Sequence, residues 1–266
     1  MISVHTTAKA GRPPRRPAGM RLVASVDVEW TKNYRIANGN VPFCYSVTYL
    51  LVPATGRVDL SDVPVLVSSR YVEEIEETAG LVQAASAEID RALQTADLVV
   101  GHQLSSDLAV LQAAGTLRGT PVTCAAELQR ARMAWHQRRA QHPAPGQRAR
   151  VIDTRYDADH VLTGTSRRLV DVCTDLALDV TQPELRGTSM TAVHRRWLDH
   201  GDVEARERVT VLNLRHSLSA ALVALSSTGR MQAGQPVQVN EMLVQHLPDH
   251  LDWLRHPQFM ATLAVA

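Results

Sequence analysis

The chain has 266 residues, 45% of them hydrophobic, and a formal net charge of +1. That length sustains a sizeable core without staples, and the near-neutral balance excludes a polycationic chain, so any contact with nucleic acid must come from local patches. Cys44, Cys124 and Cys173 are too far apart for a disulfide framework or a Cys/His zinc site. With no apolar run of membrane-spanning length, the reading is a protein of the reducing cytoplasm that needs no membrane.

Residues 1–19, rich in Pro, Arg, Gly and Ala, read as a disordered basic arm. Arg21 to Trp30 (RLVASVDVEW) is a β-branched run, expected as a buried strand that ends in acids. Asn33 to Asn40 carries a hairpin signal, Val41 to Val52 predicts a second strand, and Arg57 to Leu60 the start of a third. Val72 to Thr95 has helical spacing, with Glu73, Glu74, Glu76 and Glu77 suited to a helix N-terminus. Ala96 to His102 predicts a short buried strand, and Ser105-Ser106-Asp107 a helix start, where plain N-terminal capping by one of those side chains is the alternative to a functional Asp107.

Further on, Gln129 to Arg150 reads as a helix end followed by a mobile basic loop, suited to phosphate contact or to plain solvation. Val151 to Thr154 is a strand. Ser166 to Leu176, Ser189 to Leu198 and Val203 to Ser227 are helices, and Asn240 to Ala266 is a helical pair broken at Pro248 or Pro257. Hairpin strands first, then strands alternating with helices, give an α/β fold with a mixed sheet. The expected division is an arm (1–19), one α/β domain (20–228) and a C-terminal helical extension (229–266), the last a homodimer contact or a lid.

The chemistry concentrates at two places. Asp27 and Glu29 alternate on one strand, so both carboxylates face the same side. Two acids on one face repel unless a cation lies between them, and hard oxygen ligands suit Mg2+ or Mn2+; alone, the pair reads equally as a polar strand edge. Gly101 would allow a sharp turn after the apolar strand, which brings Asp107 onto the first helical turn facing the strand tips.

Together these segments resemble the DEDD (DnaQ-like) 3'-5' exonucleases of the ribonuclease H-like superfamily. The family's opening Asp-x-Glu-x-Thr motif corresponds to Asp27-Val28-Glu29-Trp30-Thr31, and its Gly-His-Asn-x-x-Phe-Asp motif to Gly101-His102-Gln103-Leu104-Ser105-Ser106-Asp107, with Gln for Asn and Ser for Phe. Asp153-Thr154 and the helix around Leu169 to Leu176 follow in the family's order, so the resemblance spans roughly residues 20–228. It implies a ribonuclease H-like sheet, Asp27, Glu29 and Asp107 as ligands of Mg2+ or Mn2+, and His102 as a support of the turn.

The family's last metal-binding Asp is missing, because no Asp or Glu occurs from Val209 to Leu225. Either His216 stands for the family's general-base His, with Ala221 at the Asp position, or His216 itself occupies the Asp position and Val211 or Leu212 replaces the base. The following Ala220-Ala221 favours the second alignment. The implied activity is hydrolysis at single-stranded DNA or RNA ends by Asp27, Glu29, Asp107 and His216. The alternatives are a weakened nuclease kept as a nucleic-acid-binding module, and a hydrolase of dinucleotides or other short nucleotides. Trp30 reads as core. Thr31, Lys32, Tyr34 and Arg35 at the strand exit, His102, and Arg167 and Arg168 at a helix start are the expected substrate contacts.

Overall fold

The computed structural model describes residues 1–33, 39–60, 63–140, 149–157, 166–179, 181–231, 237–247 and 249–263; of residues 32, 33 and 39 only the backbone is described. Alternation along the first long strand sets the layers. Leu22, Ala24, Val26 and Val28 enter one core and Val23 the other, because successive side chains point to opposite faces.

Among the described residues six strands form one mixed sheet: β1 (Ile2–His5), β2 (Met20–Asn33), β3 (Gly39–Pro53), β4 (Val65–Tyr71), β5 (Leu98–Gly101) and β6 (Arg150–Asp153), in the order β1-β4-β3-β2-β5-β6. β1, β2, β3 and β4 pair antiparallel, whereas β5 runs parallel to β2 and β6 parallel to β5. One face is covered by α1 (Thr78–Thr95), α2 (Leu104–Leu117) and α3 (Val122–His136), which contribute Leu81, Leu108 and Cys124 to its core. A one-turn α4 (Thr154–Asp157) follows β6. The other face is covered mainly by α5 (Leu169–Asp175), α7 (Val203–Ser227) and α8 (Val239–His246), while α6 (Met190–His200) packs on α7.

α7 is the one described helix long and apolar enough to cross a membrane, yet 89% of its apolar window is buried inside the fold. It is the core helix of this layer. Each fully buried Leu or Val in such a layer contributes about 1.5–3 kcal/mol.

Several expectations need correction. Residues 1–19 are not a disordered arm: Ile2–His5 pair with Arg70 and its neighbours on β4, and the Met1 ammonium binds Glu73 and Glu77. The strand expected from Arg57 is only an isolated bridge at Val58, and the third hairpin strand lies at Val65–Tyr71. The helix expected from Val72 begins at Thr78 after a 3-10 turn (Ile75–Glu77); Glu73 and Glu77 serve the chain terminus instead of a helix dipole. Ser105, Ser106 and Asp107 do not cap α2, whose N-cap is Gln103, and α5 has Arg168 as its N-cap. Ser189 does cap α6, accepting from the Ala192 N–H.

The C-terminal segment is not a separate extension. Leu243, Leu247, Leu251, Trp253, Leu254 and Phe259 join the α7 core, with a 3-10 turn (Asp252–Arg255) and α9 (Pro257–Met260) beyond α8. The hairpin tip at 34–38 and residues 141–148 of the expected basic loop lie outside the described residues.

Candidate metal centre

The centre forms where β5 ends alongside the middle of β2, beside the middle of α7. Open α/β sheets place ligand sites outside the carboxyl ends of their parallel strands. β2 delivers Asp27 opposite Ser46 and Glu29 opposite Cys44, and the register slips between Glu29 and Trp30. α7 crosses this face, and its 3.6-residue period brings Asn213 and His216, three apart, to the same acids. The Asn213 amide donates to Asp27 Oδ2 at 2.5 Å, while its Oδ1 accepts from the Cys44 thiol at 3.6 Å. His216 Nδ1 lies 3.1 Å from Glu29 Oε1 and 3.7 Å from Asp27 Oδ2, and its Nε2 lies 3.1 Å from Gln182 Nε2. Asp27, Glu29 and His216 each offer a ligand atom within 4.8 Å of the others.

The turn after β5 supplies Asp107. At Gly101 a Cβ would stand 2.8 Å from Leu104 Cβ, so a side chain there would collide with the start of α2. Gln103 then takes a left-handed conformation (φ 65°), stabilised by its N–H bonding Asp153 Oδ1 at 2.9 Å. Asp153 is fully buried and fully used: it also accepts from the Arg155 N–H and from Trp135 Nε1 at 2.7 Å. It pins the turn that aims Asp107. The Asp107 side chain receives a hydrogen bond from Trp30, yet its Oδ2 is buried and has no hydrogen-bond partner among the described residues.

The electrostatics report an accumulation of negative charge. Burial, then the charges of Asp27 and Glu29, push the Asp107 carboxyl well above the ordinary range. Burial also raises Glu29, with the His216 hydrogen bond pulling the other way and the Asp27 charge adding to the rise. Burial disfavours the charged form of His216, but Asp27 and Glu29 outweigh it and lift the imidazole to about 10. These shifts share a cause: three carboxylates converge where solvent is scarce. A divalent cation is the group that such a donor set fits, and the orphaned Asp107 oxygen is the observation of this fold that speaks for one.

Of the other residues singled out in the sequence, His102 supports the turn. The Thr154 hydroxyl donates to Gly101 O, and its oxygen lies 3.0 Å from His102 Nδ1. Burial lowers this imidazole to about 4, which keeps it neutral. Arg167 and Arg168 are exposed; Arg155 bonds the Arg167 carbonyl and Arg168 lies 4.0 Å from Asp171. Thr31 is half-buried on β2. Lys32 contributes only backbone to the description, and Tyr34 and Arg35 lie outside the described residues. Arg130 pairs with Asp90, and Arg138 and Arg139 with Asp157; Arg138 is held within the fold, while Arg130 and Arg139 stay exposed.

Trp30 is more than core, since its side chain reaches Asp107. Sequence reasoning missed Asn213 and Gln182. The i−3 spacing from His216 would have found Asn213, but Gln182 reaches the centre through the tertiary fold alone. The sequence matches no protein-family model and no curated protein, so the geometry of the centre is what carries a functional reading.

Proposed function

We propose that this chain is a metal-dependent phosphodiesterase of the DEDD type, hydrolysing single-stranded nucleic acid from its 3' end on a ribonuclease H-like sheet. The observation that carries the reading is the convergence of Asp27, Glu29 and the orphaned, buried Asp107 oxygen. Supporting it, an antiparallel β2-β3-β4 set is followed by β5 and β6 parallel to β2, the arrangement that the resemblance implies. The 3' polarity rests on the resemblance alone.

In this reading Asp27, Glu29 and Asp107 hold the ion, and His216 stands where the family keeps its last acid. A divalent ion held there supplies water activation and charge stabilisation at the leaving oxygen. Asn213 fixes the Asp27 carboxylate, and Asp153 with Gly101 fixes the turn that presents Asp107. Val211 and Leu212, at the positions of the family's base, are buried and apolar. A positioned base supplies about 10²–10⁴-fold, so turnover slower by about that factor is expected. Exposed Arg167 and Arg168 suit phosphate contact.

The test uses 5'-labelled single-stranded DNA and RNA, with dinucleotides as a short control, in Mg2+ or Mn2+. The reading expects stepwise shortening from the 3' end that is abolished by chelator and by Asp27→Asn. Activity unchanged in Asp27→Asn would remove it.

One observation favours a second reading, a nucleic-acid-binding relative without turnover. His216 lies against both Asp27 and Glu29 and is lifted to about 10. Its imidazolium can therefore neutralise part of the centre's charge by itself. That reading expects binding of single strands without hydrolysis and no calorimetric signal with Mg2+ or Mn2+. Metal-dependent cleavage that disappears in Asp107→Asn eliminates it.

A further inference from the structure

His216 offers a nitrogen beside the carboxylates of Asp27 and Glu29, and a nitrogen donor would favour some divalent ions over others. We infer that the centre takes a first-row transition ion, Mn2+ through Zn2+, in preference to Mg2+, with His216 Nδ1 as a direct ligand and Gln182 as the residue that positions its ring. The inference rests on the metal-centre reading above and adds the class of ion and the role of Gln182.

The separations fit one ion. Around a centre with bonds of about 2.1 Å, neighbouring octahedral ligands lie about 3.0 Å apart and opposite ones about 4.2 Å apart. His216 Nδ1 stands 3.1 Å from Glu29 Oε1 and 3.7 Å from Asp27 Oδ2, and the three ligand atoms all fall within 4.8 Å of one another. A single ion can therefore bridge these atoms with small side-chain rotations. Asp107 stands outside this close set; it feels the charges of Asp27 and Glu29, and its buried unpartnered Oδ2 would have to turn toward the ion to add a further oxygen. Donor chemistry then selects the ion: carboxylates accept Mg2+ and Mn2+ alike, whereas imidazole suits the later divalent metals, and Mg2+ in particular demands oxygen.

Gln182 makes the imidazole usable. Its amide nitrogen lies 3.1 Å from His216 Nε2. With the nitrogen toward the ring, the amide would suit only a neutral imidazole that accepts at Nε2 and keeps its hydrogen on Nδ1 toward Glu29; the imidazolium favoured by Asp27 and Glu29 instead donates from Nε2 and calls for the amide oxygen. An amide presents a donor on one side and an acceptor on the other, and the two are interchanged by a half-turn. With the oxygen turned to the ring, Nε2–H donates to Gln182 and the Nδ1 lone pair is free for an ion. A ring nitrogen held by a polar outer partner while the other binds metal is the general pattern of histidine ligation.

The segment carrying Gln182 is firmly placed. Arg215 donates to the Thr181 carbonyl and pairs with the fully buried Glu184 at 2.7 Å, and Arg208 donates to the Glu184 carbonyl at 3.0 Å. The anchor lies on α7 itself, so Gln182 and His216 keep their relation as a unit.

The experiment uses the full chain with Mn2+ and Mg2+ as probes, by calorimetry and by pulsed electron paramagnetic resonance of bound Mn2+. Expected are nitrogen coupling from one imidazole in the wild type and its loss in His216→Asp, with the Mn2+/Mg2+ affinity ratio falling at least about tenfold. Gln182→Ala should weaken Mn2+ about tenfold and leave Mg2+ little changed, whereas Gln182→Glu, which retains an acceptor for Nε2–H, should keep Mn2+ affinity near wild type. Bound Mn2+ without nitrogen coupling overturns this inference and leaves the phosphodiesterase reading standing. No binding of either ion overturns both. The coupling is read on the wild-type protein, so the inference stays testable even where a variant fails to fold.

Discussion

Replacing Asp107 by Asn should make the metal-free protein more stable and the metal-loaded protein less responsive. Burial and the neighbouring charges of Asp27, Glu29 and Asp153 raise the Asp107 carboxyl well above its ordinary range, with the Trp30 hydrogen bond opposing them. An acid raised in the folded state favours folding at low pH, and that advantage is lost as pH rises from its unfolded value of about 3.9 toward its folded one. The Trp30 bond is retained by an amide oxygen, but an unpartnered acceptor becomes a donor that must find its own partner. A net gain of about 1–2 kcal/mol in Asp107→Asn, or about 2–8 °C in melting temperature, is the expectation in chelator at pH 7. The gap between variant and wild type should close as pH falls toward about 4.

Metal reverses the order. An ion at a hundredfold its dissociation constant stabilises the wild type by about 2.7 kcal/mol, and the variant, short of one oxygen ligand, gains less. Thermal melts in chelator and in Mn2+, at several pH values, read both effects. A variant that melts below wild type in chelator, or a Mn2+ shift equal in the two proteins, would refute the account of Asp107.

Other perturbations test the scaffold of the centre. Gly101→Ala puts a Cβ 2.8 Å from Leu104 Cβ and should cost about 1–3 kcal/mol in urea denaturation; a neutral effect would show that the β5–α2 turn yields easily. Arg215→Met strands the buried Glu184 carboxylate and should cost about 3–5 kcal/mol, much of it regained in Arg215→Met/Glu184→Leu; a double variant as unstable as the single one contradicts the pairing argument. Trp135→Phe removes the indole donor to Asp153 at about 1.5–3 kcal/mol and should loosen the Gln103 turn enough to weaken Mn2+ binding in calorimetry; unchanged affinity would separate Asp153 from the centre.

The acids of β2 were legible because a two-residue alternation on a β-branched strand fixes the face on which Asp27 and Glu29 stand. Asp107 was legible because an apolar strand, a glycine and a helix in close succession leave few ways to turn. His216 was legible only through two alignments, as base or as stand-in for the last acid, and α7 brings it against Asp27 and Glu29.

Tertiary context hid the rest. β4 reads poorly as a strand because Ser68, Ser69 and Arg70 interrupt its apolar residues. Its polar groups are buried in a network with Ser46, Tyr45 and Glu88 that no local pattern announces. β1 lies in a Pro- and Arg-rich segment whose composition argues for disorder, yet it pairs with β4, and Met1 and Arg16 form ion pairs with Glu73, Glu77 and Asp97. Gln182 has no sequence signal, because its place beside His216 depends on ion pairs that tie its segment to α7.

The most direct test of the central claim, that Asp27, Glu29, Asp107 and His216 close around a divalent ion, is anomalous diffraction from a crystal equilibrated with Mn2+. The account predicts one strong peak within bonding distance of Asp27, Glu29 and His216 Nδ1, with Asp107 Oδ2 turned toward it. A crystal with no peak there, His216 still hydrogen-bonded to Glu29 and Asp107 still unpartnered, would contradict it.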